Sequence, residues 1–156
     1  MSYRAVPLLV IALFIYNAIV LFVGSGSPDD WFWGGATFDT TTNKLVPHSA
    51  ALFSATMPYG TVWQFTRGDL LLLIGLLLLA VEVVKSTYTR GAAMADQAFS
   101  TLLFVVFLVE FLLVKSAGTS LFFLLTAMAA FDVVVGSIIG IRTARRDIGF
   151  GGANAQ

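Results

Sequence analysis

The chain has no cysteine and a single histidine, His48, among its 156 residues. The first absence excludes structural disulfides, thiolate catalysis, quinone-linked disulfide exchange and cysteine-ligated metal. The second excludes bis-histidine haem ligation within one chain. Charge is scarce as well. Lys and Arg together number 9 and Asp and Glu number 9, which makes 12% charged residues and no net charge, where soluble domains carry about 25% charged residues. Without an acidic or basic excess nothing points to nucleic acid. No nucleophile with an adjacent base, phosphate-binding glycine loop or metal-ligand spacing occurs, so the sequence predicts no enzyme activity, no cofactor and no metal.

What fills the chain instead is apolar: 58% of residues are hydrophobic and the mean hydropathy is +0.87. Long apolar stretches run over about 5–23, 69–84, 98–114 and 119–141, each close to the roughly 20 residues that cross a bilayer core of about 30 Å. The predicted fold is an all-α membrane protein: a four-helix transmembrane bundle over 1–146, with a small β-rich extracytoplasmic cap over 24–68. The Gly-rich end, 147–156, is predicted to be a disordered cytoplasmic tail. A cleaved signal peptide competes for the first stretch, because Arg4 precedes it and Val23-Gly24-Ser25 supplies small residues. The length of that stretch, with Tyr16 and Asn17 inside it, favours a retained helix.

Cations set the orientation. With both termini cytoplasmic, the inner side carries Arg4, Lys85, Arg90, Arg142, Arg145 and Arg146, against Lys44, Arg67 and Lys115 outside. Arg142, Arg145 and Arg146 form a basic cluster suited to anionic headgroups. Trp31, Trp33 and Trp63 fall in the outer loop or its edges, where indoles anchor at headgroup depth. Within that loop, Thr41-Thr42-Asn43 and Pro58-Tyr59-Gly60 read as turns of two small hairpins. Their aromatics are expected to form the cap's own core and membrane anchor, with a partner-docking surface as the alternative. His48 with Asp29, Asp30 and Asp39 matches no metal-ligand pattern.

Polar residues inside the apolar stretches are the candidate functional groups, because an ionised carboxylate at mid-bilayer depth must be paired, neutralised or turned to a cavity. Counting about 1.5 Å per residue from the inner boundary places Asp132 at about 15 Å, Tyr16 at about 18 Å, Asn17 at about 19 Å and Glu110 at about 21 Å. Turned inward, they would form one polar cluster, either a proton or cation site or a set of interhelical hydrogen bonds. Glu110 has a second possibility, in Lys115 or Arg67. Glu82, three residues before Lys85, is expected to pair with it. Ala129, Asp132, Gly136 and Gly140 share a helix face on which Gly136 and Gly140 allow close packing, and Gly75 offers another small contact.

In layout the chain resembles claudin-like proteins, with both ends inside and a long β-structured first outer loop beginning near Trp31. It lacks that family's cysteine pair and tryptophan-glycine-leucine-tryptophan pattern, so the likeness is architectural. Small multidrug exporters are similar in size and span number, but the glutamate of their first span has no counterpart here. The stretch Met57 to Leu73, MPYGTVWQFTRGDLLLL, with Val84-Lys85 and Ala144-Arg145-Arg146-Asp147, is similar to a family of small, functionally uncharacterised inner-membrane proteins of proteobacteria. That similarity implies a bacterial inner membrane and no activity.

The function expected from these features is a non-enzymatic membrane subunit or scaffold, with the lipid bilayer and either copies of itself or a larger membrane complex as partners. A small proton-coupled transporter or channel subunit using Asp132, Glu110, Asn17 and Tyr16 is the alternative, and a claudin-like adhesion protein is a further one.

Overall fold

The computed structural model describes residues 6–23, 27–39, 41, 43–88 and 93–150. Pro7 sets the start of the first helix: Val10 and Ile11 donate to the carbonyls of Pro7 and Leu8 in tight i to i+3 turns, and α1 follows over Leu9–Val23. Ser27-Pro28-Asp29-Asp30 then opens a short helix, α2 (Pro28–Trp33). Proline at the start and acids in the first turn suit a helix N-terminus, where free N–H groups and the dipole favour negative charge. Two antiparallel hairpins come next, β1 (Gly35–Asp39) with β2 (Lys44–His48) and β3 (Ala51–Thr56) with β4 (Val62–Thr66). They remain separate two-stranded sheets.

Both turns lie where the sequence predicts them. Asn43 takes a left-handed φ of 53° between β1 and β2, a conformation asparagine tolerates better than most residues. Between β3 and β4, Gly60 adopts φ 91° and donates to Met57 O at 2.9 Å, while Met57 N donates to Thr61 O at 2.8 Å.

The long helices α3 (Arg67–Tyr88), α4 (Ala93–Leu113) and α5 (Ser120–Phe150) complete the chain, with a 3-10 turn over Lys115–Ala117 before α5. Three segments, Arg67–Thr87, Asp96–Leu113 and Ser120–Ile141, are long and apolar enough to cross a membrane. At 15 residues, α1 spans only about 22 Å of helical rise. Helix α3 begins at Thr66 through a reciprocal capping box. Asp69 Oδ2 accepts from Thr66 N at 2.8 Å and from Thr66 Oγ1 at 2.7 Å, and Thr66 Oγ1 in turn accepts from Asp69 N at 3.2 Å. Helix α5 continues to Phe150, past the point where the sequence predicts a disordered tail; residues 151–156 lie outside the described residues.

Helix α5 is the centre of the bundle, packed along both α3 and α4, with α1 against α3 and α5. Its buried face is the stripe Leu121, Leu125 and Ala129, and α1 contributes Leu9, Ala12, Leu13 and Tyr16 at helical spacing. The opposite faces are apolar too: Phe22 is 92% exposed and Leu113 78%. Helices apolar all round suit a lipid solvent, in which tail-like side chains gain little from burial and association depends on close packing and hydrogen bonds. Gly75 of α3 supplies the close packing, since a Cβ there would stand 3.0 Å from Leu125 Cδ2 and 3.3 Å from Met128 Sδ. Gly75→Val should therefore force the α3–α5 contact apart and cost about 1–3 kcal/mol, whereas Leu77→Ala, on the exposed face, should leave thermal unfolding in detergent almost unchanged.

Candidate functional site

The candidate polar residues of the membrane segments separate into three places. Tyr16 belongs to the cap end of the bundle. Its ring is buried, lies parallel to Phe32 with centroids 5.4 Å apart and tilts against Phe122 at 4.7 Å. Its hydroxyl donates to Ser116 O at 2.7 Å and lies 2.9 Å from Thr119 Oγ1. Thr119 Oγ1 also accepts from Phe122 N at 3.1 Å, so it caps α5 as an N-cap residue should. Tyr16 therefore ties α1 to the start of α5 and does not orient Asp132.

Asn17 and Glu110 lie elsewhere. Both line an open groove of about 590 Å³ with Val105, Val106, Val109, Leu113 and Val114. Asn17 Nδ2 donates to its own helix, at Leu13 O, 3.2 Å away. Neither Lys115 nor Arg67 forms a salt bridge with Glu110 among the described residues. Arg67 is engaged with Trp31: its guanidinium stands 4.6 Å from that ring centroid, and Nη1 donates to Trp31 O at 3.2 Å.

Asp132 lies at the opposite end of the bundle, where α3 ends and α4 begins. It shares a cavity with Glu82, Lys85 and Ser86 of α3, Asp96, Gln97 and Ser100 of α4, and Gly136, Ile139 and Gly140 of its own helix. Asp132 is buried and lines this cavity together with Ser100. Glu82 is also buried and bonds two ways: it pairs with Lys85 at 3.3 Å, and its other oxygen accepts the N–H of Leu8 at the start of α1. A carboxylate is well placed there, because the first N–H groups of a helix have no partner inside it. The charge of Lys85 acts on Glu82 and Asp132 alike. The expected Glu82–Lys85 pair is thus present, and Glu82 rather than Glu110 is the acid near Asp132.

The small-residue face of α5 serves this cavity. Ala129 is buried in the core. Gln97 crosses the face at Gly136, with Nε2 donating to Val133 O at 3.0 Å and to Ser137 Oγ at 3.1 Å. A Cβ on Gly136 would collide with Gln97 Oε1, while one on Gly140 would meet open space. The partner of Gly136 is accordingly α4 of the same bundle. Asp96, Gln97 and Ser100 are not singled out by the sequence reading, although Asp96 and Ser100 are polar residues four apart at the start of an apolar helix. That spacing puts both on one helix face and was the available signal.

Near the cap, Trp31 and Trp33 pack on the bundle, with the Trp33 ring 3.1 Å from where a Cβ on Gly68 would stand. Trp63 is instead exposed on the second hairpin, in a cluster with Phe53 at 5.6 Å and Phe65 at 6.0 Å. Arg4 and Arg90 lie outside the described residues, as do the side chains of Asp39, His48, Arg142, Arg145 and Arg146. No protein-family model, curated protein or solved structure matches the chain.

One acid of the cap has a defined pH consequence. Burial, and after it the neighbouring charge of Asp30, holds the Asp29 carboxyl above its ordinary value, and Asp29 Oδ1 is buried without a hydrogen-bond partner. The folded state thus favours protonated Asp29. Its contribution to stability is full below the unfolded value and fades as pH rises through the folded one. Asp29→Asn should raise the melting temperature at neutral pH and change it little in acid; an equal shift at both would contradict this. Separately, Tyr16→Phe removes the hydroxyl from Ser116 and Thr119 and should destabilise the protein by about 1–3 kcal/mol, measured by chemical unfolding in detergent.

Proposed function

We propose that the chain is an integral membrane subunit without catalytic activity, which crosses a bacterial inner membrane four times with both termini in the cytoplasm. In this reading α1 is the fourth span, its short helix accommodated by local thinning of the bilayer and by the apolar Val6-Pro7-Leu8 segment before it. Lys85 at one end of α3 and the cations of the sequence around Arg142 support a cytoplasmic end there, by the excess of positive charge inside.

The subunit works by docking a transmembrane helix, from a partner or from a second copy, in the groove between α1 and α4. The observation that carries this reading is Glu110. It is a carboxylate in a groove lined otherwise by apolar side chains and Asn17, in the last turn of α4, with no ion pair among the described residues. A carboxylate facing lipid is costly, and it is relieved by a donor on a neighbouring helix. The exposed hairpin supports a second contact on the outer face. Between Ala51 and Thr66 it carries no charged residue and displays Phe53, Tyr59 and Trp63, a composition suited to the headgroup boundary.

Native mass spectrometry of protein released gently from its own membrane is the direct test. The wild type should retain a stoichiometric partner or a second copy, Glu110→Leu should lose it, and Glu110→Gln should keep part of it. A wild type that emerges as a bare monomer in every detergent would sink the docking reading.

A further inference from the structure

The β3–β4 hairpin is two-faced. Side chains alternate along a strand, and the register sets Phe53 against Phe65 and Ala55 against Trp63 on one side, with Ser54 against Gln64 and Thr56 against Val62 on the other. The aromatic rings of the first side pack on one another, Phe53 stacked on Phe65 at 5.1 Å and Trp63 edge-on to both. Nothing in the chain covers them fully, for Phe53 and Trp63 remain exposed, and Tyr59 at the turn is 80% exposed. The second side is polar yet uncharged, and no charged residue occurs between Ala51 and Thr66.

The base of the hairpin is fixed to a helix of membrane length. Arg67 N donates to Ala50 O at 3.1 Å, immediately before β3. Strand β4 runs without a linker into α3, whose first turn is closed by the Thr66–Asp69 capping box. The hairpin thus begins at the level where α3 begins, and Leu70 and Leu73 are exposed in the first two turns of that helix.

Three physical constraints then select the occupant of the aromatic side. A two-stranded hairpin on its own is marginal in water, so the side needs cover. A protein partner would ask for a polar or charged rim to fix its register, and this hairpin has no charge to offer. Each strand keeps one unpaired edge, which excludes the hydrocarbon core but not the hydrated headgroup region. Tryptophan and tyrosine belong at that depth, and an element apolar on one side and polar on the other lies along the boundary.

We propose that the β3–β4 hairpin lies on the bilayer at the cap side, with Phe53, Trp63 and Tyr59 among headgroups and upper acyl chains and Ser54, Thr56 and Gln64 turned to water. Lipid covers the aromatic side, and without charge the contact is indifferent to anionic headgroups and to salt. The proposal rests on the membrane-spanning reading of the chain and is independent of the groove at Glu110.

The test uses single cysteine substitutions in the full chain, which has no native cysteine, each carrying a fluorescent label in phosphatidylcholine nanodiscs. Lipids bearing a nitroxide beneath the headgroup quench from the membrane, and iodide quenches from water. Ala55→Cys should lose most of its emission to the lipid quencher and little to iodide, and Ser54→Cys should show the reverse. Tyr59→Cys should follow Ala55→Cys and stands in for it if the label at 55 disturbs the strand pair. Added phosphatidylglycerol or salt should change none of these values. Leu77→Cys, on the exposed face of α3, should be quenched by lipids with the nitroxide deep in the acyl chain and so reports the spanning reading by itself. With Leu77→Cys quenched from lipid, three results would overturn the hairpin proposal alone: quenching of the Ala55 and Tyr59 labels by iodide only, shielding of both labels from both quenchers, as a second copy or a protein partner would produce, or lipid quenching that requires phosphatidylglycerol. A Leu77 label reached by iodide and not by lipid would overturn the spanning reading and the hairpin proposal with it.

Discussion

A polar group inside an apolar bundle has no water to turn to, and the arrangement of this protein follows from how each such group is satisfied. Glu82 is the clearest case. One side chain of α3 takes the ammonium of Lys85 and the first free N–H of α1, so a single carboxylate sets the position of the N-terminal helix against the third. Without it, the N–H of Leu8 at the start of α1 would lose its side-chain acceptor, since the first N–H groups of a helix have no partner inside it. Tyr16 does the corresponding work at the other end of α1, where its hydroxyl engages Ser116 O and Thr119 Oγ1. The helix is thus fastened at both ends by polar contacts, while its middle packs through Ala12 and Leu13.

Close approach is the second means of holding the helices. In a hydrocarbon solvent hydrophobic burial adds little between helices, and van der Waals contact and hydrogen bonds supply the association energy. Gly75 brings α3 onto Leu125 and Met128 of α5, and Gly136 lets Gln97 of α4 lie across α5. Helix α5 therefore receives a neighbour on each side at a glycine. The faces left over, from Phe14 and Phe22 on α1 to Leu112 on α4 and Phe131 on α5, are smooth and apolar, as a lipid boundary asks. Against that background a cavity with three carboxylates and a groove with one stand out as the places where the bundle departs from the minimum needed to fold.

Much of the architecture is legible in the sequence because its causes are local. Apolar runs of sufficient length give the long helices, and Asn43 and Gly60 mark turns that need a left-handed residue. The short α2 is missed, although Ser27-Pro28-Asp29-Asp30 carries the signals of a helix start. The site is less legible because it depends on how helices slide past one another. Measuring depth from Arg142 sets Asp132 level with Glu110, yet α5 continues as helix beyond Arg142 to Phe150. The first arginine therefore does not mark the level at which α4 begins. Asp132 comes to lie by Ser100, about 15 Å of helical rise from Glu110 on α4. No count along a single helix reveals that offset, which is fixed by Gln97 crossing Gly136 and by Leu103 and Phe107 packing into the core beside it.

The central claim is that Asp132 belongs to the cavity with Ser100, Asp96 and Glu82 and not to the groove with Glu110. A chain without native cysteine allows this to be measured by paired cysteine substitution and oxidative cross-linking in native membranes. Ser100→Cys combined with Asp132→Cys should form an intramolecular disulfide rapidly, and Glu110→Cys combined with Asp132→Cys should form none under the same oxidant. Efficient closure of the second pair, with the first left reduced, would contradict the account.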